Sequence, residues 1–176
     1  KYKKLLKDEN KILKKLNSIN KLKQVKLYHP EKPIKNLSGT DKDLKIDYLI
    51  SSVIYKETLY DISKNISFTS DEIKTIGLSI LKGLKNLYEN NIIYGNVNPE
   101  NFYKSESKGL NRIYFINYEY STIINSSIYE IREHDNTGNV IPVGNIKYNS
   151  IYVQQGCKIT PQSDIESLIY LLLSLE

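Results

Sequence analysis

A long amphipathic segment in the middle of the chain limits the possible folds more than any other feature. Thr69 and Glu72 form a capping box, in which each side chain can accept a hydrogen bond from the other residue's backbone N–H group. Apolar residues then recur at helical spacing. We predict that these residues form the buried face: Ile73, Ile76, Ile80, Leu81, Leu84, Leu87 and Tyr88. The segment indicates one long buried helix, and Asn90-Asn91 can end it because asparagine tolerates the left-handed conformation.

Three short motifs follow this helix in a fixed order. The first is a polar loop, residues 93–102, with the sequence Ile-Tyr-Gly-Asn-Val-Asn-Pro-Glu-Asn-Phe. The second is Asn117-Tyr118-Glu119, which ends a short apolar run that is typical of a strand. The third begins at Gly144, continues through Gly156, and ends in an apolar helical pattern that opens with Ser163-Asp164-Ile165-Glu166.

This succession resembles the protein kinases, and among them the casein kinase I and vaccinia-related kinase group. A kinase catalytic loop carries an aspartate, then four residues, then a metal-binding asparagine, and Asn96 and Asn101 have this spacing. Members of the group carry Gly-Thr-x-x-x-x-Ser-Ile, a glycine, and a helix opening with Asp-Leu-Glu, a pattern similar to the stretch from Gly144 to Glu166. Gly95, in place of the customary arginine, points to the vaccinia-related branch.

The resemblance implies an α+β, protein-kinase-like fold with two partial lobes. Residues 1–55 would form part of the small lobe, and residues 56–176 part of the mainly helical large lobe. A kinase domain is normally longer and has a Gly-rich phosphate loop, so we expect an excerpt or a truncated product, cut at both ends. The expected elements are a regulatory-type helix at 3–22, a strand at 48–55, a short helix at 58–65, a hairpin turn at 104–109 and an activation segment at 117–142.

The same resemblance implies that the catalytic positions have lost their charge. Asn96 stands at the position of the catalytic base, and an amide can hydrogen-bond a hydroxyl but cannot take its proton. Asn98 stands at the position of the loop lysine, while Asn101 and Asn117 are vestigial magnesium and nucleotide positions. Magnesium prefers carboxylate and phosphate oxygens. We therefore expect no resident cofactor and no metal site, with ATP and Mg²⁺ binding only if the nucleotide pocket survives.

Other residues match structural positions of the family. Asp164 corresponds to the aspartate that holds the backbone of the catalytic loop, and Gly144 to a position after the activation segment. Tyr94 replaces the usual loop histidine and can fill its space while donating a hydrogen bond. Glu9 corresponds to the helix glutamate that pairs with a strand lysine; no such lysine precedes it, so we expect it to be unpaired. Taken one at a time, Asp164 and Gly144 are better explained as ordinary cap and turn residues, and Glu9 at least as well as a solvated helix residue; the ordered set favours the kinase-like interpretation.

The amino-acid composition limits the classes of partner and the cellular location that we expect. The net charge of +5 is carried almost wholly by lysine, and an AT-rich genome explains this bias more economically than a function does. No zinc-ligand set or aromatic RNA-binding motif is present, so we predict no specific nucleic-acid partner. Cys157 is the sole cysteine, which excludes an internal disulfide and fits a reducing compartment. The longest apolar run, residues 168–173, is too short to span a bilayer, so we expect no membrane contact and an intracellular location, cytoplasmic or nuclear.

These features favour a pseudokinase, a kinase-like domain that acts as a binding or regulatory module for a protein partner such as a kinase or a kinase substrate. The alternative is a divergent ATP-dependent serine/threonine protein kinase with reduced activity. An upstream Gly-rich loop and a Val-Ala-x-Lys-like strand would favour that enzyme. A third hypothesis is a decayed gene fragment without a stable fold, because the apolar helix at 165–173 would leave aggregation-prone surface exposed.

Overall fold

The computed structural model describes residues 2–23, 37–41, 46–50, 57–105, 108–124 and 144–176. The helices in these ranges are α1 (Tyr2–Lys23), α2 (Leu59–Ser63), α3 (Ser70–Glu89), α4 (Ile151–Gln154) and α5 (Pro161–Leu173). The strands are β1 (Leu37–Asp41), β2 (Ile46–Ile50), β3 (Ile92–Ile93), β4 (Phe102–Ser105), β5 (Gly109–Phe115) and β6 (Thr122–Ile123). Single 3₁₀ turns lie at Pro99–Asn101 and Tyr118–Tyr120.

The described strands pair two by two, and each pair is antiparallel. β1 pairs with β2, β3 with β6, and β4 with β5, with a shift in register after Lys104 in the last pair. The predicted hairpin at 104–109 is confirmed, since β4 and β5 flank it. Small antiparallel sheets beside long helices give the expected α+β class. The predicted strand at 48–55 is present as β2 as far as Ile50; the remainder lies outside the described residues.

Capping interactions fix where α2 and α3 begin. The capping box predicted for α3 is confirmed: Thr69 N–H donates to Glu72 Oε2 at 2.9 Å, and Glu72 N–H donates to Thr69 Oγ1 at 3.3 Å. Asn91, two residues after the last residue of the helix, has φ of +58°, as expected where the helix ends. A second capping box, between Thr58 and Asp61, begins α2 close to its predicted start.

The buried face of α3 is narrower than predicted. Ile76, Ile80 and Leu84 are buried, whereas Leu81 and Tyr88 are 42% and 51% exposed, so the prediction was wrong for these two residues. Helical spacing identifies the apolar stripe of α3. The elements that pack against it, β5, α5 and β3, cover only one side of that stripe and leave the other side exposed. Leu81 and Tyr88 instead line an open, mainly apolar cavity of 470 Å³ between α3 and α5.

One hydrophobic core joins α1 to α3, α5 and the β4–β5 hairpin, and it includes apolar residues of the polar loop. Ile12, Leu13 and Leu16 of α1 belong to the same buried cluster as Phe102 and Phe115 of the β4–β5 hairpin.

Three apolar side chains of α5 are exposed to solvent, as the sequence led us to expect: Ile165, Ile169 and Leu173. In the described ranges, no helix combines the length and the apolar composition needed to cross a membrane.

Candidate functional site

The polar loop is held from behind by Asp164, in the first turn of α5. Its Oδ2 accepts the N–H of Tyr94 at 3.0 Å, and its Oδ1 accepts the N–H of Gly95 at 2.9 Å. The side chain is almost fully buried. Burial raises the pKa of Asp164 to about 7, and the two backbone hydrogen bonds oppose that rise because they favour the carboxylate. The structure therefore places Asp164 where a loop-anchoring aspartate was predicted.

Tyr94, near the start of the polar loop, contacts several other aromatic rings in the core. Its buried ring lies edge-on to the rings of Phe115 and Tyr118, at centroid separations of 5.1 and 5.4 Å. Its hydroxyl donates to the carbonyl of Ile116, so the predicted hydrogen bond from this tyrosine is present. Ser121 Oγ donates to the Tyr94 carbonyl at 2.7 Å. The sequence gives no signal for this contact by Ser121, because it depends on how the chain turns back after residue 117.

Three of the predicted site asparagines lie together within the loop, and all three are buried. Asn98 Nδ2 donates to Asn96 Oδ1 at 3.0 Å, and Asn101 Nδ2 donates to the Asn96 backbone carbonyl at 2.9 Å. Asn98 Oδ1 accepts the N–H of Glu100 at 3.1 Å, which begins the 3₁₀ turn. The oxygen at the base position thus already accepts a hydrogen bond from the residue at the lysine position.

The fourth predicted asparagine, Asn117, joins this group from the next motif. It is exposed and has left-handed backbone angles, φ of 53° and ψ of 64°. Its Nδ2 donates to Asn101 Oδ1 at 2.7 Å, and its backbone carbonyl accepts Asn96 Nδ2 at 3.4 Å. The structure therefore brings all four asparagines into one hydrogen-bonded network that carries no formal charge.

Two glycines let other segments approach the loop closely. Gly144 has φ of +70°, and a Cβ atom there would lie 3.3 Å from Asn96 Oδ1. Gly95 has φ of +71°, and a Cβ atom there would lie 2.4 Å from Ile159 Cδ1. Both backbone conformations favour glycine, and side chains at these positions would displace the segments that enclose Asn96.

Glu9 does have a hydrogen-bond partner, which corrects the expectation that it is unpaired. Its Oε1 accepts the backbone N–H of Tyr118 at 3.1 Å. Burial raises the pKa of Glu9, the Tyr118 N–H opposes the rise, and the nearby Glu119 adds to it. Sequence reasoning considered a lysine partner; it missed that the 3₁₀ turn at Tyr118 presents a backbone N–H that needs an acceptor. Glu9 thereby ties α1 to the second motif.

Together, a loop anchored on a buried helix aspartate and a second motif contacted by a helix glutamate define a protein-kinase-like fold. The chain is similar to the solved structure of vaccinia related kinase 3, with a TM-score of 0.71 and 18% sequence identity over 97% of this chain. The match covers 53% of that solved chain, so the present chain spans about half its length. No family model matches the chain, and no curated protein does. The expected α+β, kinase-like fold is confirmed.

The fold implies magnesium and a nucleotide, and the residues present do not fit the metal. A kinase site of this kind offers the cation an aspartate carboxylate and an asparagine oxygen. Here Asn117 offers no charge, and Asn101 Oδ1 already accepts the Asn117 amide. Within the described ranges, no three His, Cys, Asp or Glu side chains cluster in a way that could hold a metal ion. The group at 96, 98, 101 and 117 is suited to hydrogen bonding rather than to metal binding or proton transfer.

Proposed function

We propose that the chain is part of a catalytically inactive kinase-like protein, a pseudokinase, that acts as a binding or regulatory module. The observation that carries this proposal is the state of Asn96 at the base position. Its side chain is buried, neutral, and hydrogen-bonded to Asn98. Loss of a general base alone lowers a rate by about 10² to 10⁴-fold. Neutral groups at positions 98 and 117 remove further electrostatic stabilisation, on which phosphoryl transfer chiefly depends.

A role in binding is supported by the contrast between lost chemistry and kept architecture. Asp164 and Glu9 hold the loop and the second motif, while Asn96, Asn98, Asn101 and Asn117 are neutral and joined to one another by hydrogen bonds. The step from fold to role is an analogy with binding proteins built on enzyme folds. The partner in this proposal is an intracellular protein, for example a kinase or a kinase substrate, with no specific nucleic acid and no membrane.

The first test is a thermal-unfolding scan of the longest available form of the protein, with and without ATP plus Mg²⁺ or Mn²⁺. A ligand at about a hundred times its Kd adds roughly 2.7 kcal/mol of stability, which moves the midpoint by several degrees. The proposal expects cooperative unfolding that ignores the nucleotide. A metal-dependent shift would favour the alternative, a divergent serine/threonine kinase with reduced activity, and the absence of any transition would favour a decayed fragment.

The second test restores two charges at once. The double substitution Asn96→Asp with Asn117→Asp should not yield robust phosphotransfer to a protein substrate, because the loop lysine position remains the neutral Asn98. The measurement is transfer of labelled phosphate from ATP, with the unchanged protein and an active kinase run in parallel. Strong activity in the double variant would show that the site is otherwise intact, and the proposal of an inactive module would then be wrong.

A further inference from the structure

The residues that do not fit magnesium are joined directly by a hydrogen bond, from the side-chain amide of Asn117 to the side-chain oxygen of Asn101. We propose that the side-chain amide of Asn117 takes over the structural role of a divalent cation in this fold, linking the loop at Asn101 to the segment that leads into the Tyr118–Tyr120 turn. The loop is then closed by hydrogen bonds and needs no metal. This inference rests on the proposed function in one respect, since both require a site that holds no metal.

The distance between the two former metal positions supports this assignment. Asn117 Nδ2 lies 2.7 Å from Asn101 Oδ1, a short hydrogen bond for an amide donor. Two acceptor oxygens at that separation would repel each other unless a cation lay between them. The amide N–H supplies the positive end of a dipole at that point and removes the need for the cation.

The remaining bonds close a ring that fixes the orientation of each amide. Asn117 donates to Asn101 through their side chains, Asn101 Nδ2 donates to the Asn96 carbonyl, and Asn96 Nδ2 donates back to the Asn117 carbonyl. Turning the Asn117 amide over would place its oxygen against Asn101 Oδ1. Only the Asn101 side-chain amide both accepts and donates within this ring, so polarisation can strengthen the bonds on either side of that one group. The ring therefore selects an amide, rather than a carboxylate, at position 117.

The backbone makes Asn117→Asp a sharp test of this idea. Asparagine and aspartate have nearly the same shape, and both tolerate the left-handed conformation found at residue 117. The substitution thus exchanges one N–H donor for an acceptor oxygen and adds a negative charge. Asn111→Asp is the matched control, because Asn111 is exposed on β5 and the same charge change occurs away from the ring.

The experiment compares the full chain with these two variants by thermal unfolding at pH 7.5 in EDTA, and again in millimolar Mg²⁺ or Mn²⁺. We expect Asn117→Asp in EDTA to unfold about 2–6 °C below Asn111→Asp. The unchanged protein should unfold at the same temperature in EDTA and in either metal. Equal midpoints for the two variants would overturn the inference, and so would a metal-dependent rise in the midpoint of the unchanged protein.

A spectroscopic measurement keeps the inference testable if Asn117→Asp does not fold. In the ¹⁵N-labelled protein, the side-chain amide protons of Asn117 should exchange with solvent about tenfold more slowly than those of Asn111, although both residues are exposed. Equal exchange rates would contradict the link. If the exchange rates are equal but the protein neither binds nucleotide nor transfers phosphate, the Asn117 link is wrong and the proposed function still stands. Failure of the inference can therefore be told apart from failure of the proposed function.

Discussion

The two sides of the polar loop differ in their chemistry. On the anchoring side, Asp164 is a buried ionisable group that accepts two backbone N–H groups of the loop. On the side where a kinase would carry out its reaction, Asn96, Asn98, Asn101 and Asn117 satisfy one another and carry no charge. The comparison teaches that one buried carboxyl group can anchor the loop backbone while the other side of the loop is held by hydrogen bonds between neutral amides.

The largest expected effect on stability comes from removing the side chain of Asp164, which anchors the loop. Asp164→Ala at pH 5.5 should lower the free energy of unfolding by about 4 kcal/mol, because two buried N–H groups lose their acceptor at about 1–3 kcal/mol each. The measurement is urea unfolding followed by circular dichroism. Asp71→Ala is the control, since Asp71 is exposed in the first turn of α3 and should matter far less. Similar losses in both variants would mean that Asp164 does not anchor the loop.

The stability lost in Asp164→Ala should depend on pH, which gives a second test of the anchoring role of Asp164. The folded-state pKa of Asp164, about 7, lies above its ordinary value of 3.8, so the folded protein holds this proton more tightly than the unfolded chain. Its stabilising contribution is therefore present at acidic pH and is lost as the pH rises towards and through 7. From pH 5 to pH 8, the cost of Asp164→Ala should shrink by about 2–3 kcal/mol. Parallel stability curves for the two proteins would contradict this.

The smallest expected effect concerns Glu9, which contacts the second motif at Tyr118. Glu9→Ala should cost about 1 kcal/mol at pH 7, because the Tyr118 N–H loses its acceptor. Glu9→Gln keeps an acceptor oxygen and removes a partly buried charge beside Glu119, so it should be neutral or slightly stabilising. Urea midpoints of both variants give the comparison. A cost for Glu9→Gln as large as that for Glu9→Ala would show that the charge itself is needed.

Much of the fold could be predicted because the signals are local. The Thr69–Glu72 capping box, the end of α3 near Asn91 and the hairpin at 104–109 each depend on a few consecutive residues. The position of Asp164 could be predicted through the ordered motifs. The exposure of Leu81 and Tyr88 could not, since helical spacing does not tell which part of an apolar stripe its neighbours cover.

The candidate site could be predicted residue by residue but not bond by bond. The sequence singles out four asparagines as candidate site residues, yet the direction of each amide depends on distances that only the folded chain sets. The ring through Asn117, Asn101 and Asn96 needs the second motif to lie beside the loop. The Glu9–Tyr118 bond joins residues 109 positions apart, so no local pattern could reveal it.

The asparagine network also bears on how the protein ages chemically. Asparagine deamidates when the nitrogen of the following residue attacks its side-chain carbonyl, and here this reaction would create the acidic groups that the site lacks. Asn98 is followed by Pro99, whose nitrogen has no proton to release. Asn117 is followed by Tyr118, whose N–H is held by Glu9. The proline after Asn98 and the Glu9 contact after Asn117 therefore oppose the slow conversion of these two asparagines to aspartate.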